Sequence, residues 1–211
     1  MTEITSRPMV LVVDDDEAMR DSMRCLFESE KLPCKVFSSA HEFLEFCDAR
    51  VQGCILLDIR MPGMSGMELL ENLKVQGIQL PVIVITGHGD VPLAVRAIQQ
   101  GAFDFLQKPF QFQVLLDRVN AALESARKAH AKNLQMDDLR SSFGALTSRE
   151  KEVMELVVAG SSSKLIGMTL GISSKTVDIH RASIMKKLDV RNIAELVQRR
   201  LALQDEASPG K

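Results

Sequence analysis

The stretch Val10–Asp16, VLVVDDD, sets four consecutive apolar residues directly before three consecutive carboxylates. An apolar run this short and this rich in valine reads as a strand buried on both faces, as in a parallel sheet. Similar runs follow at Cys54–Leu57, Val82–Ile85 and Phe103–Leu106, the last interrupted by Asp104, and Cys34–Phe37 supplies a fifth. Helical spacing lies between them. Met19, Met23, Leu26 and Phe27 fall three or four apart; Ser65 and Glu68 form a capping box before Leu69, Leu70 and Leu73; Leu115, Val119, Ala122 and Leu123 repeat the pattern. Strand then helix, five times over, predicts a doubly wound α/β domain ending near residue 125.

Ligands of such sheets bind at the carboxyl ends of the strands, beside the point where strand order reverses. The residues at those ends are Asp14, Asp15 and Asp16 on the first strand, Asp58 on the third, Thr86 on the fourth, and Lys108 with Pro109 after the fifth. Clustered carboxylates repel one another unless a cation sits among them, and oxygen ligands suit Mg²⁺. An aspartate there could be a nucleophile toward phosphorus, with the hydroxyl of Thr86 and the ammonium of Lys108 meeting phosphoryl oxygens.

Beyond residue 125 the chain turns polar, and residues 126–145 read as a linker, helical in its first part. Residues 146–211 show four helical patterns and no strand-like run. Thr147 and Glu150 form a second capping box; Gly160 ends that helix, Ser163 caps a short one closed by Gly171, and Ser173 caps the next. Helix, short turn with glycine, helix is the grammar of the helix-turn-helix. In the third of these helices Val177, Ile184 and Leu188 make the buried stripe. That leaves Lys175, Thr176, Asp178, Ile179, Arg181, Ala182 and Lys186 for the outer faces, residue types that meet phosphates, base edges and the thymine methyl. Residues 146–211 carry 11 Lys and Arg against 8 Asp and Glu, whereas residues 1–145 carry 15 against 20, so the basic end is the one suited to nucleic acid.

The motifs LVVDDDEAMR, LLDIRMPGMSG, VIVITGHGD and GAFDFLQKPF resemble the receiver domains of two-component response regulators, with the flavodoxin-like (βα)5 fold, over residues 9 to about 125. The resemblance implies that Asp58 is the phosphoacceptor. Asp14 and Asp15 would form the acidic pair that binds Mg²⁺ with Asp58, Asp15 as the direct ligand of the two, and the main-chain carbonyl of Arg60 would complete the set. Thr86 falls at the switch hydroxyl, Phe105 at the switch aromatic and Lys108 at the family's lysine, before a cis Lys108–Pro109 bond. Phenylalanine lacks the hydroxyl of many members, which leaves switching by burial. Residues 146 to about 203 resemble the LuxR-type DNA-binding domain, and the whole chain resembles FixJ-type members of the NarL/FixJ family. Its DNA-binding set would be Lys164, Ser174, Lys175, Thr176, Asp178, Ile179, Arg181, Ala182 and Lys186. Ser163 and Gly167 replace the commoner asparagine and alanine, and glycine costs a helix up to about 1 kcal/mol; Asp178 stands where lysine is common and could accept from cytosine N4. The implied partners are a sensor histidine kinase, a double-stranded operator and, on phosphorylation, a second copy of the chain.

Composition sets the outer bounds. With 45% hydrophobic and 26% charged residues the chain falls in the range of globular proteins. No apolar run approaches the roughly 18 residues of a membrane helix, and the polar start has no secretion-signal pattern, so a cytoplasmic protein without a membrane partner is expected. Cys25, Cys34, Cys47 and Cys54 lack metal-site spacing and read as reduced core or near-core residues. Two alternatives remain at this point. A phosphatase of the haloacid dehalogenase type would use Asp14 as nucleophile but leaves the C-terminal helices unexplained; a DNA-binding protein whose acidic pocket is never phosphorylated is the other.

Overall fold

The computed structural model describes residues 8–48, 51–87 and 91–207. Two compact units divide between Ala131 and Lys132. The first alternates β1 (Met9–Val13), α1 (Glu17–Ser29), β2 (Cys34–Phe37), α2 (Ala40–Phe46), β3 (Gly53–Asp58), α3 (Gly66–Val75), β4 (Val82–Thr86), α4 (Val91–Gln99), β5 (Asp104–Gln107) and the start of α5 (Phe112–Gly144), whose residues from Lys132 on fall in the second unit. The strands form one parallel sheet in the order β2-β1-β3-β4-β5.

The period of two along each central strand sorts the core into two layers. Leu11, Val13, Ile55, Leu57, Val82 and Val84 pack with α2, α3 and α4 residues such as Phe43, Leu69, Leu73 and Ala97. Val10, Val12, Cys54, Leu56, Ile83 and Ile85 pack instead with Met23 and Phe27 of α1 and Leu115, Val119 and Ala122 of α5. Each such valine, leucine, isoleucine, phenylalanine or methionine, fully buried, stabilises the fold by roughly 1.5–3 kcal/mol. The strands could be read in sequence because both faces are covered, so nearly every position in β1, β3 and β4 is apolar.

Three elements differ from the expectation. β5 starts at Asp104, and Phe103 is left 40% exposed outside it; the Asp104 carboxylate is tolerated because Arg118 of α5 pairs with it. Cys25 is exposed and Cys34 half-buried, while Cys47 and Cys54 are buried as expected, and all four are free thiols. The stretch 126–145, read as a partly helical linker, is helical as far as Gly144 as the continuation of α5.

The second unit contains α6 (Ser148–Val158), α7 (Ser163–Leu170), α8 (Ser174–Lys187) and α9 (Ile193–Ala207). Val153, Val157, Ile166, Val177, Ile184, Leu188 and Leu196 form its core. Both predicted capping boxes, Ser65 with Glu68 and Thr147 with Glu150, are present. The N-cap of α7 is Ser162 rather than Ser163, which becomes the first residue of the helix. Gly167 is a packing requirement as much as a weak point. A Cβ there would stand 2.7 Å from the main-chain oxygen of Ile172, so the turn into α8 closes onto α7 only because the side chain is missing. Among the described residues no helix is long and apolar enough to cross a membrane.

Candidate functional site

Strand order reverses between β1 and β3, and each delivers a carboxylate at its C-terminal end: Asp14 just past β1 and Asp58 as the last residue of β3. Both are buried, at 4% and 8% exposure. Lys108, just past β5, donates from Nζ to Asp14 Oδ2 at 2.7 Å and to Asp58 Oδ1 at 3.0 Å. Main-chain N–H groups hold the other oxygens: Asp16 N–H donates to Asp14 Oδ1 at 2.9 Å and Arg60 N–H to Asp58 Oδ2 at 2.8 Å. The N–H of Lys108 itself donates to the carbonyl of Thr86 at 2.7 Å, and the Lys108–Pro109 bond is cis.

Burial pushes the Asp58 carboxyl above its ordinary range, and the neighbouring Asp14 charge adds to the rise. Lys108 and the Arg60 N–H pull it back without cancelling it. Burial works against the charge on Lys108, but the Asp14 and Asp58 carboxylates outweigh burial and raise its pKa. Asp58 is therefore a carboxylate made more basic by burial and by a like charge, beside a cation that stays charged.

Of the residues expected here, Asp14, Asp58 and Lys108 are in direct contact, and Thr86, buried at the end of β4, is joined to Lys108 through the main chain. Phe105 lies within β5, half-buried against the core layer that holds Leu57 and Val84. Asp15 and the Arg60 side chain are exposed. Asp16 caps α1, its carboxylate accepting from the Ala18 N–H at 2.9 Å. His88, in the VIVITGHGD motif, lies outside the described residues. Among the described residues no three His, Cys, Asp or Glu side chains are grouped as a metal site. The donors at this end are nevertheless all oxygen: two carboxylates in place, Asp15 next in sequence to one of them, and main-chain carbonyls. Such a set fits a hard cation such as Mg²⁺.

Two neighbours went unread in the sequence. Arg20 donates from Nη1 to the main-chain oxygen of Asp14 at 2.8 Å, tying α1 to the site. Gly66 begins α3 so close to Asp58 that a Cβ would stand 2.2 Å from the Asp58 carbonyl oxygen. The MPGMSG motif carried that glycine, but its contact depends on where α3 meets β3.

In the second unit Lys164, Ser174, Lys175, Asp178, Ile179, Ala182 and Lys186 are exposed, Ile179 at 62%, while Thr176 and Arg181 are half-buried. Thr176 shares a hydrogen bond with the Ser173 cap. Lys175, Ile179, Ala182 and Lys186 recur at i, i+4, i+7 and i+11 along α8 and form one exposed face. The interior partner of that helix was not anticipated. Glu150, 4% exposed, accepts from Ser183 Oγ at 2.6 Å and Lys187 Nζ at 2.7 Å, and from the Thr147 N–H at 2.8 Å. Lys187, Ser183 and that N–H hold its carboxyl down to about 2.

Residues 10–120 match the family model for the response regulator receiver domain, and residues 144–199 that for bacterial regulatory proteins of the luxR family. The transcriptional regulatory protein FixJ of Bradyrhizobium diazoefficiens is 39% identical over 201 residues, covering 95% of this chain and 97% of that protein. Nodulation protein W of the same organism is 43% identical over 197 residues, covering 93% and 87%. Among solved structures, the response regulator StyR matches with a TM-score of 0.87 at 41% identity, covering 93% of this chain and 100% of that one. These matches span both units, which the phosphatase alternative never did. The chain therefore belongs to the FixJ-like response regulators, DNA-binding proteins that join a receiver domain to a LuxR-type domain and control transcription.

Proposed function

We propose that Asp58 accepts a phosphoryl group from a sensor histidine kinase, and that this drives pairing of two chains and binding of α8 and its neighbours to a double-stranded operator. The observation that carries the reading is the shared ammonium of Lys108, 2.7 Å from Asp14 and 3.0 Å from Asp58. Two buried carboxylates with one cation between them leave a negative charge uncompensated, the condition for recruiting a divalent cation. Asp14, Asp15, Asp58 and the Arg60 carbonyl would hold Mg²⁺, which supplies charge neutralisation to the incoming phosphoryl oxygens.

An Asp58 oxygen attacks phosphorus, the bond from phosphorus to the donor's histidine nitrogen breaks, and the electron pair stays on that nitrogen. Lys108 transfers its hydrogen bonds toward the new phosphoryl oxygens, Thr86 donates its hydroxyl to another, and Phe105 follows by moving deeper into the core. Val95 and Ile98, exposed and three apart on α4, support pairing through an apolar surface that includes α4. Two linked DNA-binding units then gain effective concentration that one lacks. Lys164, Ser174, Lys175, Thr176, Asp178, Ile179, Arg181, Ala182 and Lys186 would be the contacting set, lysines on phosphates and the central residues of α8 on base edges.

The test is intact mass and size-exclusion elution after incubation with acetyl phosphate and Mg²⁺, on wild type and Asp58→Asn. A phosphoryl adduct with a shift to dimer, both absent in Asp58→Asn, is the expected result. An adduct that persists in Asp58→Asn moves the nucleophile to another carboxylate; no adduct on wild type makes this a regulator that works without phosphorylation.

A further inference from the structure

The turn between α7 and α8 carries a short relay of hydrogen bonds. Arg181 Nη1 donates to Ser163 Oγ at 3.0 Å, and the Ser163 hydroxyl donates to Asp178 Oδ1 at 2.7 Å. Asp178 and Arg181 lie three apart on α8, and Ser163 reaches them from the first turn of α7. Among the described residues the hydroxyl of Ser163 is the one recorded hydrogen-bond partner of the Asp178 carboxylate. Asp178 is exposed, beside Lys175 and Ala182 on the helix face assigned above to DNA.

We infer that Asp178 is a specificity-determining residue that selects cytosine in the operator, and that Ser163 is the positioning residue that fixes it for this task. The inference rests on the proposed reading of DNA by α8. A carboxylate has only acceptors to offer, so in the major groove it needs a base that presents a donor. Cytosine presents N4–H₂. Adenine presents N6–H₂ beside the N7 lone pair, which repels a carboxylate; guanine and thymine present acceptors there. An unrestrained exposed aspartate would lose rotamer freedom on binding and be repelled by nearby phosphates. With Oδ1 tied to Ser163, much of that ordering precedes binding, and Oδ2 remains to accept from the base. The same relay occupies Arg181, which reduces its share in sequence-independent phosphate binding.

Duplexes selected from a random pool by the full-length protein test this. Wild type, Asp178→Asn, Asp178→Ala, Ser163→Ala and Ser163→Thr are compared by sequencing what each retains. Wild type is expected to favour cytosine by roughly tenfold or more at one position per half-site. The preference should move to adenine in Asp178→Asn, whose amide pairs with N6 and N7, and vanish in Asp178→Ala. It should fall several-fold in Ser163→Ala and return in Ser163→Thr, which restores the hydroxyl; a residue that merely stabilised the fold would not alter one base preference alone. A motif unchanged by every Asp178 variant overturns the inference while leaving α8 as the reading helix. A preference that follows Asp178 but ignores Ser163→Ala overturns the positioning role. Retention of DNA by wild type with no motif at all overturns base reading by α8, and the inference with it.

Discussion

Asp58 and Glu150 are both buried carboxylates, 8% and 4% exposed, and both accept from a lysine ammonium, Lys108 at 3.0 Å and Lys187 at 2.7 Å. Their acidities nevertheless move in opposite directions. Glu150 has Lys187 as its own partner, with Ser183 and the Thr147 N–H besides, and its carboxyl is held down to about 2. Asp58 divides Lys108 with Asp14, whose charge also repels it, so burial prevails and its pKa rises. A carboxylate saturated with donors is a structural rivet between α6 and α8. One that must share its cation with a like charge stays incompletely compensated and more basic.

The largest effect should come from removing the shared cation. Lys108→Ala is expected to slow phosphoryl uptake from acetyl phosphate about a hundredfold, followed by intact mass over time, while Lys187→Ala leaves uptake unchanged. Equal rates in wild type and Lys108→Ala would mean that the contrast between the two carboxylates has no chemical content. On the structural side, Glu150→Ala should lower the stability of the second unit by about 2–4 kcal/mol, since two side-chain donors and a main-chain N–H lose their acceptor. Urea unfolding of the full-length protein, monitored by circular dichroism, measures it, and a loss confined to the receiver transition would contradict the assignment.

The smallest effect separates the two by pH. Glu150 lies below its ordinary 4.5, so its contribution is complete above that value and is lost as pH falls through about 2. The stability gap between wild type and Glu150→Gln should close over that window. Asp58 lies above its ordinary 3.8, so ionisation opposes folding, and the gap between wild type and Asp58→Asn should run the other way, favouring wild type more as pH falls. Gaps that change in the same direction would remove the distinction.

The same pair explains what sequence could convey. Asp58 was legible because a parallel sheet places the last residue of each strand at one end, and VLVVDDD and CILLD mark two such ends. The Thr147–Glu150 capping box was legible too, being local. Ser183 and Lys187 were not, because they reach Glu150 from 33 and 37 residues away through the packing of α8 on α6. The Ser163 relay was hidden for the same reason, and three consecutive serines left the cap of α7 ambiguous. The first part of the α5 extension was read as helical, but its run to Gly144 escaped because it is polar on most sides, which gives no apolar periodicity; pairs such as Glu124 with Lys128 support the helix from the surface instead.

Lys108 ties three strands with two different parts of itself. Its peptide N–H is bonded to β4 through Thr86, and its ammonium to the ends of β1 and β3 through Asp14 and Asp58. The two attachments are mechanically independent, since five single bonds separate Cα from Nζ. The ammonium is free to let go of one anion and take another while the peptide keeps its strand docked. A change of partner at the ammonium therefore leaves the main-chain bond between Lys108 and β4 in place.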